Sequence, residues 1–135
     1  MENISLIILN KAFDEKGLLA NVGFVLGLSA GRQLADDTFG AAVTDGDGHE
    51  HQPLTNVGHY VRKVGGVKLA NLRNTFADMP DVLVIDYTED AAPADYKEYT
   101  RTLGAHKGDE IVYRAVYVYG PADKIIPLTK SLSRA

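Results

Sequence analysis

The chain has 135 residues, 45% of them apolar and 24% charged, no cysteine, and a formal net charge of −4 at pH 7. That length and balance suit a single domain, 1–135, which can bury a core without staples. The lack of cysteine excludes disulfides, thiol nucleophiles and zinc-thiolate sites. The acidic balance and scattered basic residues do not support nucleic-acid binding as the main role, because backbone recognition calls for a basic face.

The opening run "ISLIILN" is apolar on both faces, the pattern of a strand covered on both sides. Its acidic start lacks the basic lead of a signal peptide, and no stretch of the sequence reaches the ~20 apolar residues of a membrane span. A cytoplasmic protein with no membrane association is expected. Asp14 offers an N-cap, and Glu15 to about Arg32 reads as a helix apolar nearly all round. Such a helix is expected to lie buried between the sheet and a neighbour. Gly23, Gly27 and Gly31 fall four apart on one face of it, a smooth groove that lets another backbone approach. The expectation is tight packing within the domain, with a subunit or ligand contact as the alternative.

"TDGDGHEHQP" carries two Asp-Gly pairs in four residues and predicts an exposed hairpin. Counted from Asp45, an EF-hand would need a Glu at its twelfth position, where this chain has Asn56, so that match fails. "HYVRKV" reads as a second core strand. "VKLANLRNTFAD" places Leu69, Leu72 and Phe76 on one face of an amphipathic helix. "DVLVIDY" is a third strand. The next helix opens near Pro93, closes on Gly104, and sets Tyr96, Tyr99 and Leu103 along one face. "EIVYRAVYVYG" is the longest strand, interrupted only by Arg114. Gly120-Pro121 turns into a last helical segment, which Pro127 should kink or restart. Strands alternating with helices predict an α/β domain with a largely parallel sheet.

No nucleotide-binding glycine fingerprint follows the first strand, and "GLSAG" matches a serine-hydrolase elbow in letters but lies inside a predicted helix. No cofactor and no metal site is expected. The candidate site residues are Lys16, Asn21, Asp86 and Thr88. Lys16 opens the glycine-striped helix beside the end of the first strand, and Asp86 ends the third strand, where open α/β sheets place their ligands. A lysine and an aspartate meeting there would position a polar ligand. Asn21 is the single amide in an apolar helix and must find partners if it is buried.

Together, "GLLANVGFVLGLSAG", "TDGDGHEHQP", "DYTEDAAPADYKEYTRTL" and "VYGPADKIIPLTKSL" resemble a bacterial family of domains of unknown function, DUF family two thousand, with the peptidyl-tRNA hydrolase type II fold. The resemblance implies a three-layer α/β/α domain. It also implies a mixed, mostly parallel four-stranded sheet whose last strand runs antiparallel inside it, and a homodimer. The related enzymes open this helix with Lys-Gly-Lys followed by Ala-Ala-Gln. This chain has Lys16-Gly17-Leu18 and then Leu19-Ala20-Asn21, so Leu18 stands where the catalytic lysine is expected. A leucine can neither transfer a proton nor hold a phosphate. The expected function is binding of a small polar ligand or a partner. The alternative is an esterase or amidohydrolase, acting on aminoacyl or peptidyl esters, with Asp86 as base and Lys16 as electrostatic support. Whether the chain is an enzyme is left open by its residues.

Overall fold

Along Asn3–Asn10 (β1), Ile4, Leu6 and Ile8 join one apolar cluster and Ile7 and Leu9 another, the period-two alternation of a strand covered on both faces. The computed structural model describes residues 2–91 and 95–135. The chain continues through Lys16–Gln33 (α1), a hairpin of Val43–Thr44 (β2) and Glu50–His51 (β3), Gly58–Val64 (β4), Gly66–Ala77 (α2) and Leu83–Thr88 (β5). It ends with Tyr96–Ala105 (α3), Tyr113–Pro121 (β6), Ala122–Thr129 (α4) and Ser133–Arg134 (β7). The fold is mixed α/β.

The main sheet has five strands in the order β5-β6-β1-β4-β7, rather than the four expected. Only β1 and β4 pair in parallel; the β1–β6, β5–β6 and β4–β7 pairs are antiparallel. The expected mostly parallel pairing is therefore corrected. The reason is β6, which enters between β1 and β5 running against both, so two strands of like direction never touch there. Gly120 permits a close approach at the far end of β6. A Cβ built there would lie 2.9 Å from the Asp81 carbonyl oxygen, closer than real side chains come.

Helices cover both faces. On one face α2 brings Leu69, Leu72 and Phe76, the triplet its spacing predicts, onto Ile4, Ile8, Val116 and Val118, and α4 adds Ile125. Phe76, Leu69 and Ile125 are fully buried. On the other face α1 sets Val22, Leu26 and Ala30 on Tyr87, Ala115 and Tyr117. The buried Ser5 hydroxyl donates to Tyr117 Oη at 2.7 Å beneath that layer.

Several expectations are corrected here. In this chain α1 is not an inner helix: only Val22, Leu26 and Ala30 are buried, while Phe24 and Leu28 are each 65% exposed. A Cβ built on Gly23, Gly27 or Gly31 meets no atom within 4 Å, so the glycine stripe presses on nothing within the domain. Glu15, not Asp14, is the N-cap of α1, and its side chain makes no capping bond. β4 is mostly exposed rather than a core strand, with Tyr60 and Val61 each 45% exposed. α4 runs through Pro127 to Thr129 without restarting. The expected helix start at Pro93 falls outside the described residues. α3 begins at Tyr96, with the Asp95 side chain accepting from the Glu98 N–H.

The Asp-Gly segment does form the hairpin. Gly48, with φ of 87°, supplies the left-handed turn, and Val43 and Thr44 pair with His51 and Glu50. Asp45 ties it together. Its Oδ1 accepts the N–H groups of Asp47 and His49 at 3.0 Å each, and its Oδ2 meets His51 Nε2 at 2.8 Å. The His51 hydrogen bond, then the His49 amide, hold the Asp45 carboxyl below its ordinary 3.8.

Candidate ligand site beside the first helix

Residues three and four apart share a helix face, and α1 uses this to present two different flanks. Leu18, Asn21, Val25 and Ser29 line one flank; Gly27, Ala30 and Gly31 line the other. The first flank borders an open cavity of about 680 Å³ that β5 and α3 complete with Ile85, Asp86, Tyr87, Tyr96 and Tyr99. The second borders a groove of about 300 Å³ over the uncovered part of the sheet, where His59 and Val61 of β4 lie.

The larger cavity combines an apolar wall of Leu18, Val25, Leu26 and Ile85 with a few polar groups. The Tyr87 phenol crosses from β5 and donates to Asn21 Oδ1 at 2.7 Å. That bond occupies the amide oxygen and leaves the Asn21 N–H donors to other partners. Burial raises the Tyr87 phenol above its ordinary 10, against a lowering pull from the Arg114 charge. Burial also raises Tyr99, helped by the carboxylates of Asp86 and Asp90, so both phenols are neutral donors near pH 7. Tyr96 is 81% exposed at the rim, its ring centroid 5.7 Å from that of Tyr99.

The four sequence-derived candidates do not converge as expected. Asn21 and Asp86 both border the cavity. Lys16 opens α1 but is exposed and stands outside the cavity lining. Asp86 does not meet it: Asp86 Oδ2 accepts from Arg73 Nε of α2 at 3.1 Å. Thr88 is fully buried, its Oγ1 has no hydrogen-bond partner among the described residues, and it too is outside the lining. The expected lysine–aspartate pair is thus replaced by an arginine–aspartate pair. The physical reason is β-strand alternation, since successive residues of β5 face opposite ways. Tyr87 turns toward α1, and Asp86 toward α2.

Sequence reasoning missed Tyr87, Tyr99, Arg73 and Asn10. Asn10 is buried, donates to the Tyr113 carbonyl oxygen at 2.9 Å and accepts the Ala12 N–H at 3.0 Å, locking the end of β1 to the start of β6. Its sequence signal was a lone amide ending an apolar strand, the same signal that singled out Asn21.

Residues 5–134 match the family model described as "Protein of unknown function (DUF2000)". The chain belongs to this family. A solved structure of a protein of unknown function, Atu0240 from Agrobacterium tumefaciens strain C58, has a similar fold. Its TM-score is 0.82 at 15% identity, over 100% of this chain and 98% of that one. No curated protein matches the chain. The DUF2000 match and the shared fold span the whole arrangement of α1, β5 and β6 that frames the cavity. Among the described residues, no helix is long and apolar enough to cross a membrane.

Proposed function

We propose that this DUF2000 domain binds a small ligand, part apolar and part polar, in the cavity between α1, β5 and α3. The observation that carries the reading is the pairing of a wall of Leu18, Val25, Leu26 and Ile85 with the Asn21–Tyr87 hydrogen bond and the Tyr99 phenol. Ligand sites are typically concave, mostly apolar and set with a few oriented polar groups, within roughly 300–1,000 Å³. The cavity volume of about 680 Å³ falls inside that range. A hydrolase using Asp86 and Lys16 is the weaker reading, because Arg73 holds the Asp86 carboxylate and Lys16 lies away from it.

The scaffold we infer is that of peptidyl-tRNA hydrolase type II, with Leu18 in place of the lysine. Helices on both faces of the sheet and an inner antiparallel β6 support it. The domain is a homodimer in this reading. The exposed Phe24 and Leu28 beside open glycines on α1 would supply the apolar surface.

The test is a thermal-shift screen of small metabolites against wild type and Val25→Trp, which sets a bulky indole at the cavity wall. At least one compound should raise the wild-type Tm and leave that of the variant unchanged. Equal shifts in both proteins for every hit would place binding elsewhere.

A further inference from the structure

Arg114 is the one charged residue in the β6 sequence, and it is half-buried. β6 starts between the carboxyl ends of two strands: Ala115 pairs with Leu9 of β1 and with Tyr87 of β5, and Tyr113 pairs with Thr88. The register shifts between Tyr87 and Thr88, which leaves Arg114 as the extra, bulged residue. Bulges re-aim a side chain, and the carboxyl ends of strands are where α/β sheets hold ligands.

The Arg114 guanidinium lies 4.6 Å from the centroid of the Phe13 ring, just ahead of α1. A cation–π contact of this kind restrains the group without using its N–H donors on an acceptor atom. Arg114 Nε is buried and has no hydrogen-bond partner among the described residues. Among the described residues, no carboxylate forms an ion pair with Arg114. The four remaining residues, Met1, Ala92, Pro93 and Ala94, carry no side-chain carboxylate. The chain holds more acidic than basic residues, 18 against 14, yet it leaves this arginine without one. A buried charged donor without a partner is costly, and folded proteins rarely leave one orphaned.

We propose that Arg114, held over the Phe13 ring, is the anchor for an oxyanion, a phosphate or a carboxylate, that forms the charged end of the bound ligand. The planar fork of a guanidinium matches either group with two parallel N–H bonds. The cavity already described lies close by, because the next residue, Ala115, pairs with Tyr87, which lines that cavity. This inference rests on the ligand-binding reading for the rest of the ligand and adds its charge class.

The experiment follows the Arg114 Nε–H resonance of ¹⁵N-labelled wild-type protein. Inorganic phosphate and, separately, acetate are titrated to millimolar concentrations, with sodium chloride holding ionic strength constant. A saturable shift with phosphate identifies a phosphate-type ligand, and one with acetate alone a carboxylate. Arg114→Gln should weaken the anion that binds by roughly tenfold or more, and Arg114→Lys by less. A resonance that moves with neither anion overturns the proposal, as does equal affinity in wild type and Arg114→Gln. The resonance requires no variant, so a misfolded Arg114→Gln would not rescue the idea. Val25→Trp separates the two readings: it should keep anion binding while losing the metabolite hits. Hits without an anion shift would leave the cavity standing and remove Arg114's role.

Discussion

Tyr87 and Asn21, 66 residues apart in the chain, are joined by a 2.7 Å hydrogen bond from the phenol to the amide oxygen. The bond crosses from β5 to α1 over the inner end of the cavity, so it ties the apolar wall to its polar groups. Tyr87→Phe removes the donor and keeps the ring. A part-buried neutral hydrogen bond contributes about 1 kcal/mol. The variant should lower the unfolding free energy by that amount, read as a lower urea midpoint with an unchanged m value. A midpoint equal to that of wild type would mean that Asn21 and Tyr87 are joined no better than each is to water.

Ser5 and Tyr117 test a fully buried pair. Ser5→Ala strands the hydroxyl of Tyr117, a buried residue, at a cost of about 1–3 kcal/mol. Ser5→Ala with Tyr117→Phe removes both polar groups and should recover part of that loss. Double-mutant denaturation curves check it, and strictly additive effects would rule out the coupling.

Two glycines should respond in opposite ways. Gly120→Ala forces a Cβ toward the Asp81 carbonyl oxygen, 2.9 Å away, and should cost roughly 1–3 kcal/mol. Gly27 has open space at its Cβ position. Leu28→Glu puts a charge on the exposed face of α1 and should convert the proposed dimer to monomer, as read by light scattering. In that monomer Gly27→Ala should raise stability by up to ~1 kcal/mol, the helix-propensity difference. A wild type that is already monomeric at high concentration would remove the dimer. A destabilised Gly27→Ala monomer would show that the stripe packs on the protein's own residues after all.

The hairpin should loosen in acid. Asp45 is held below its ordinary 3.8 by His51 and the His49 and Asp47 amides. A carboxylate whose folded pKa is depressed stabilises the fold above the unfolded value. That contribution fades as pH falls through the lowered one. Amide exchange at Asp47 and His49 should therefore accelerate as Asp45 protonates below pH 3.8, measured against the intrinsic acid-pH trend. Asp45→Asn should show faster exchange at neutral pH as well. Unchanged protection in that variant would assign the turn to Gly48 alone.

Local pattern alone determined much of the architecture. The β1 alternation, the Leu69–Leu72–Phe76 face of α2, the Asp-Gly hairpin and the extent of α1 all follow from periodicity and turn chemistry, which act between residues close in sequence. The same pattern could not decide what covered α1, because an apolar helix reads alike whether a sheet, a second copy or solvent lies beside it. Nor could it choose the partner of Asp86 or of Asn21. Those depend on which residues β5 turns to each side and on where β6 enters the sheet. Tertiary structure decided them, since hydrogen bonds and ion pairs form over about 3 Å while their partners lie tens of residues apart in the chain.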